Sequence, residues 1–363
     1  MFTEKHILGN PYNNHKLSRT VTGYEVTTVD CSADKTSGYS GTTVNLTPTQ
    51  TGSTFTNWSI TGATLTGNAF NFDNSDVTVV AYYAPPIPNG AIRVKTSDGA
   101  VPTKYSYTKY TRCEKVDGYE DVYDVFQESG TGYVWYETLR SSPNVIEVLG
   151  SNATNVSSCY QPFYDNSQIT AINNFELCTG VNNGICCLCR GLTDVSILHS
   201  ERASSTYEWF SNCESLRTAP ELDLSNVVRL NSMFFRCYSL SSLPLYNLSN
   251  VTSIYQSFSH CSSLSALPLF DTHNVVDARN AFILCTKISA VPLFDTTKIK
   301  NVDQMFQSAL SVQGGASALY QQLSTKAISV TSHISAFYKC GYDTTQGRAE
   351  LNQIPTGWGG YKY

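Results

Sequence analysis

Val251-Thr-Ser-Ile254-Tyr-Gln-Ser-Phe258-Ser-His-Cys261-Ser-Ser-Leu264-Ser-Ala-Leu267-Pro268-Leu-Phe270 is one copy of a pattern that returns every 24 residues. Phe210, Phe234, Phe258, Phe282 and Phe306 keep that spacing, as do Cys189, Cys213, Cys237, Cys261 and Cys285. Leu216, Leu240, Leu264 and Ile288 form another column, and so do Pro220, Pro244, Pro268 and Pro292. The unit reads N-V-x2-L-x3-F-x2-C-x2-L-x2-L-P-L. A single unit of this size cannot bury its own apolar face, whereas stacked units can, so the Phe and Cys columns are expected as the structural core of the array.

Val251, Ile254 and Phe258 stand at i, i+3 and i+7, which predicts a short helix in each unit, with Ser249 and Asn250 where N-caps are preferred. Leu264 to Leu267 is short and stopped by Pro268, so it predicts a brief strand. One helix and one strand per unit predict an α/β leucine-rich-repeat-like solenoid. Imperfect units extend it, with Val156, Phe163 and Ile169 at one end and Phe337 and Cys340 at the other.

The run from Phe258 to Val275, with its F-x2-C-x-S-L, L-P-L-F-D and N-V elements in order, resembles the BspA-like leucine-rich repeats over roughly residues 150–345. That resemblance implies a binding or adhesion module of the kind carried by bacterial surface proteins and by gut bacteriophage or prophage virion proteins. It brings no catalytic residues.

Upstream, short alternating runs separated by Gly, Asn and Asp turns predict a small all-β module over 21–84. Gly41-Thr-Thr-Val-Asn-Leu-Thr-Pro, Phe55-Thr-Asn-Trp58 and Val77-Thr-Val-Val-Ala81 resemble the internalin-type B-repeat, with Phe55 and Trp58 as its core aromatics. Residues 85–90 are a Pro-rich linker, and 91–149 predict a second β-rich module that includes runs at Tyr105–Tyr110 and Tyr133–Glu137. Residues 1–20 carry no periodic pattern and are expected as an N-terminal tail or anchor. Residues 346–363, with Gly357-Trp358-Gly359-Gly360, are expected as a C-terminal cap. The fold class is therefore multidomain: two small all-β modules followed by the 24-residue-repeat solenoid.

Hydrophobic residues make up 41% of the 363 and charged ones only 15%, enough apolar material for packed cores. The net charge is −5, and residues 201–300 hold 8 basic and 8 acidic side chains, so there is no cationic stripe for nucleic acid. No run is long enough to insert in a membrane, and Met1 to Lys16 lacks the apolar core of an export signal, so synthesis in the host cytoplasm is expected.

Cys178 and Cys186-Cys187-x-Cys189 could be read as a zinc site, but Cys186 and Cys189 fill repeat slots that are core positions elsewhere, so neither metal nor cofactor is expected. Asp223, Asn247, Asp271 and Asp295 also keep the 24-residue period and read as turn residues, the alternatives being a calcium ladder or the carboxylates of a polysaccharide-degrading enzyme. Tyr246, Phe270 and Phe294 form an aromatic column that can either bind a ligand or stack between units. No nucleophile elbow, P-loop or dinucleotide fingerprint occurs, and no catalytic residue is assigned. The resemblances imply a non-enzymatic virion protein, a tail or head fibre, spike or decoration subunit. It would be a symmetric homo-oligomer, attached to other virion proteins through its N-terminal region and displaying the repeats to a bacterial surface glycan or protein. The alternative is a bacterial cell-surface adhesin.

Overall fold

The computed structural model describes residues 3–8, 17–22, 24–29, 31–49, 54–73, 75–84, 86–102, 111–117, 119–129, 132–135, 138–178, 180–196, 198–326 and 330–362. The chain divides into two compact units, 1–86 and 87–363.

In the first unit the described backbone of the expected tail is not patternless, because Thr3–Leu8 pairs antiparallel with Leu17–Thr22. A four-stranded sheet runs in the order Ser37–Gly38, Tyr24–Val29, Val77–Ala84, Thr54–Thr61. A second runs Cys31–Ala33, Thr43–Pro48, Ala69–Asn71, Leu65–Thr66. Alternation sets the core: Val44 and Leu46 are buried while Thr43 and Asn45 are exposed. Val44 and Leu46 pack with Phe70, Phe72, Val77 and Val79, and the Phe70 and Phe72 rings meet edge to face at 5.6 Å. Phe55 and Trp58 sit on the strand Thr54–Thr61, but their side chains lie outside the described residues.

The second unit opens with an eight-stranded sheet, order Val156–Ser158, Gly132–Val134, Val122–Ser129, Ala91–Thr96, Val145–Ser151, Ala171–Ile172, Asp194–Val195, with Thr111–Lys115 paired beside Val122–Ser129. The expected run at Tyr105–Tyr110 lies outside the described residues. Ala91–Thr96 is antiparallel to both neighbours, but from Val145–Ser151 onward the pairing is parallel. The parallel ladder then continues as single bridges, Ser205 to Arg229 to Ser253 to Asp277 to Asn301 to Ser332. One apolar core runs without a break from Ile92 to Ile354.

The expected α/β leucine-rich-repeat-like solenoid is overturned. The described residues are mostly strand, bridge and turn. Their two α-helices, Ala316–Thr325 and Thr345–Leu351, both follow the regular repeats, and no helix occurs within residues 204–315. The reason lies in the backbone. Ser232, Gln256, Asn280 and Gln304 are left-handed, with φ of 55° to 56°, and so are Arg236, His260, Leu284 and Ser308, at 57° to 63°. Two such residues per unit, four apart, stop any right-handed helix. The N–H groups bond between units instead: Leu230, Ser232, Phe234 and Arg236 donate to the carbonyls of Ser253, Tyr255, Ser257 and Ser259 at 2.8 to 2.9 Å. Val251, Ile254 and Phe258 still point inward together, so the helical spacing is met by a chain of turns.

Each unit is thus one rung of a stack. The Phe column forms a continuous pile, with centroids 5.3 Å apart for Phe210 and Phe234, 5.9 Å for Phe234 and Phe258, 5.5 Å for Phe258 and Phe282, and 5.1 Å for Phe282 and Phe306. Phe337 extends it by 6.2 Å. The Cys column is reduced and buried. Every thiol in it donates to the preceding rung's carbonyl in the Phe slot: Cys189 to Phe163, Cys213 to Cys186, Cys237 to Phe210, Cys261 to Phe234 and Cys285 to Phe258, at 3.0 to 3.2 Å. At the far end Trp358 stacks on His333 with centroids 4.0 Å apart, and its carbonyl accepts from Phe337 N at 2.9 Å.

Candidate functional site

Proline shapes one edge of the stack. After Pro244, Pro268 and Pro292 the chain closes a three-residue turn, in which Tyr246, Phe270 and Phe294 donate their N–H groups to the proline carbonyls at 3.0 to 3.1 Å. A turn that tight throws its central residue outward. Leu245, Leu269 and Leu293 are those central residues, exposed by 70%, 62% and 56%. The residue after each turns in. Tyr246, Phe270 and Phe294 are buried, their rings stacked behind the Phe pile: Tyr246 on Phe234 at 6.5 Å, Phe270 on Phe258 at 6.0 Å and Phe294 on Phe282 at 6.0 Å. The Tyr246 hydroxyl donates to Pro220 O at 2.8 Å, and burial pushes its pKa well up. The aromatic column that the sequence offers for binding is interior, and the leucines beside it face solvent.

The next residue along is exposed again. Asp223, Asn247, Asp271 and Asp295 each accept a hydrogen bond from the N–H two residues on, at 2.9, 3.1, 3.3 and 2.8 Å. These are Asx turns, so the period in acidic residues is turn chemistry. The side-chain and backbone donors of Ser225, His273 and Thr297 hold the Asp223, Asp271 and Asp295 carboxyls below the usual carboxylate range. Behind them Asn226, Asn250 and Asn274 tie rung to rung, donating to Glu201 O, Ser225 O and Ser249 O at 2.6 to 3.0 Å. The edge therefore presents two parallel rows, leucine and Asx, repeated at the roughly 4.8 Å step of paired strands.

Elsewhere in this unit, Phe175–Glu176 and Leu198–His199 pair in parallel, with Glu176 opposite His199. Alternation buries Phe175 and Leu198 and turns Glu176 and His199 toward a cavity of about 320 Å³ also lined by Leu177, Glu201 and Arg202. His199 Nε2 lies 3.0 Å from Asn174 Oδ1, and its Nδ1 lies 3.6 Å from Glu201 Oε1. In the first unit a cavity of about 920 Å³ is lined by residues that include Thr43, Gly62, Thr66, Phe70 and Asp73.

The cysteines do not converge. Cys186 and Cys189 occupy buried rung positions, and burial drives both thiol pKa values up. Cys178 instead meets Cys159, whose thiol hydrogen-bonds it and lowers its pKa. Among the described residues no group of three or more His, Cys, Asp or Glu side chains is placed to hold a metal ion.

Sequence reasoning missed Leu245, Leu269 and Leu293, although the signal was there. L-P-L followed by an aromatic residue is one apolar residue too many for a single inward face.

Fold and edge together define a stacked-repeat protein with a periodic surface. Residues 204–321, which span the regular rungs and reach into the first helix, are similar to a family described as a Mycoplasma protein of unknown function, DUF285. No curated protein and no solved structure matches the chain.

Proposed function

We propose that this is a non-enzymatic binding protein of a bacteriophage particle, a tail or head fibre, spike or decoration subunit that holds its repeat stack toward a host-surface component. The observation that carries the reading is the edge: rigid rungs repeat the same exposed positions, so each contact made at Leu269 and Asp271 is available again at Leu245 and Asn247 and at Leu293 and Asp295. A stack with such rows suits recognition of an extended partner, because the backbone that carries them is already held by rung-to-rung hydrogen bonds and has little freedom to lose on binding. The resemblance to BspA-like repeats supports the same assignment. The N-terminal unit is then the attachment to other virion proteins, and a symmetric homo-oligomer is the form displayed.

The test uses an antibody raised against residues 150–345, applied with gold-labelled secondary to purified particles and to host cells. Label on the tail or head of the particle is expected. Label confined to the bacterial envelope, with particles bare, would reject the virion reading in favour of a cell-surface adhesin.

A further inference from the structure

Cys159 and Cys178, both enclosed and reduced, stand outside the rung column and against each other. Each column thiol is taken up by a carbonyl of the preceding rung. The Cys159 and Cys178 thiols are instead hydrogen-bonded together, and each sulfur also meets the backbone N–H of the other residue.

The backbone holds the two sulfurs in place. Ser158 bridges Val181 in parallel, and Val181 O accepts from Cys159 N at 2.9 Å and from the Cys178 thiol at 3.4 Å. The Asn182 side chain clamps the turn that carries Cys178. Its Oδ1 accepts from Cys178 N at 3.1 Å and from the Cys178 thiol at 3.2 Å. Its Nδ2 donates to Cys178 O at 3.1 Å and to Gly180 O at 3.0 Å. Gly180 lies so close to Ser157 O that a side chain there would collide with it, and the Trp209 indole N–H donates to Asn182 O. Residues held sulfur to sulfur across one paired rung can be joined without moving their backbones.

We infer that Cys159 and Cys178 are a redox pair that closes to a disulfide with a small-molecule disulfide as oxidant, pinning the turn at 178–182 to the first rung. The pair is independent of the binding role proposed above. Cys178 is the attacking thiol. The Cys159 S–H and the neighbouring N–H groups stabilise its thiolate, whereas burial drives the Cys159 thiol pKa up. Cys178 gives its proton to water and attacks one sulfur of the oxidant R–S–S–R. A bond from Cys178 Sγ to that sulfur forms as the S–S bond of the oxidant breaks, and RS⁻ leaves. Cys159 then loses its proton to water and attacks Cys178 Sγ, expelling the second RS⁻. The two released thiolates take up the two protons, so two protein thiols are oxidised and one small disulfide is reduced to two thiols.

The full chain, folded and reduced, is exposed to oxidised glutathione at about pH 8, then acidified, denatured and alkylated, and peptide mass mapping reads the product. Two peptides joined through Cys159 and Cys178, lighter together by two hydrogens, are expected, with Cys213, Cys237, Cys261 and Cys285 alkylated. Cys159→Ser removes the second step, so Cys178 should accumulate as its glutathione adduct. Cys178→Ser should leave Cys159 a free thiol. Oxidation should raise the thermal transition of the native chain, not that of either serine variant, and a dithiol reductant should reverse the rise. Should a serine variant fail to fold, the peptide map of the native chain decides alone. A native chain that keeps both thiols free, stops at the Cys178 adduct or joins either cysteine elsewhere overturns the proposal. So does a cross-link that forms only after denaturant is added.

Discussion

The rings of Phe258 and Phe282 lie 3° from parallel with centroids 5.5 Å apart, one step in a pile that runs through the whole repeat stack. Phe258 also faces Phe234 at 5.9 Å and Phe270 at 6.0 Å, so it touches aromatic carbon on three sides. Removing it opens a cavity that the rung cannot close, because its backbone is fixed by bonds to both neighbours. Phe258→Ala should cost about 3–5 kcal/mol, and Phe258→Leu clearly less. Urea unfolding followed by circular dichroism reads both. A loss under about 1 kcal/mol for the alanine variant would mean that the pile contributes little.

Arg93 and Asp124 are cross-strand partners, both nearly enclosed. Nε and Nη2 reach the two carboxylate oxygens at 2.9 and 3.0 Å. Such a fork is costly to break from one side, since the remaining charge stays buried. Asp124→Ala should destabilise the second unit by about 3–5 kcal/mol, whereas Arg93→Leu with Asp124→Leu should recover most of the loss. Unfolding midpoints of the two variants decide the matter: a loss under about 1 kcal/mol for Asp124→Ala would place the pair at the surface in solution.

The rungs were legible in the sequence and the helices were not. Phe258, Cys261 and Leu264 announce inward positions whatever the backbone does, so the core columns could be read directly. The same i, i+3, i+7 spacing suits a helix and a series of turns alike. What separates them is the left-handed backbone at Gln256 and His260, which neither residue type declares. Glycine would have declared it, since it adopts that region freely. The candidate edge was half legible. The Asx column could be read as turn chemistry, but the period put Tyr246, Phe270 and Phe294 in view as a binding stripe. Only the tight turn after proline shows that the preceding leucine points out and the aromatic residue points in.

Thiol chemistry should divide the cysteines sharply. Burial raises Cys213, Cys237 and Cys261, and pushes Cys285 up to about 12, so these thiols stay protonated and unreactive at ordinary pH. Cys178 goes the other way, because the Cys159 thiol hydrogen-bonds its thiolate. At pH 8 iodoacetamide should label the half-buried Cys31 and Cys113 first and, among the buried thiols, Cys178 ahead of the rest, at the rate at which the segment around it opens. The Cys213, Cys237, Cys261 and Cys285 peptides should stay unlabelled until denaturant is added. Peptide mass mapping over time reads the order. Labelling of the column cysteines ahead of Cys178 would show that the stack opens more readily than its packing implies.

Acid should loosen the edge before the core. The carboxyls of Asp223, Asp271 and Asp295 are held low by the N–H groups they cap, so the folded chain binds their protons less readily than the unfolded chain. With the folded pKa below the unfolded value of about 3.9, the stability they contribute is complete above that pH and drains as pH falls through the folded value. All three are exposed and their effect is small and screened by salt. Replacing all three with asparagine keeps the acceptor of each Asx turn and removes the titrating proton. Thermal transitions recorded from about pH 5 to pH 2.5 should therefore fall less steeply in the asparagine variant than in the native chain. At neutral pH the two should unfold at nearly the same temperature, since Asn247 shows that an amide serves the same turn. Identical acid limbs would mean that the three carboxylates titrate alike in the folded and unfolded chains, and that their hydrogen bonds are not held in solution.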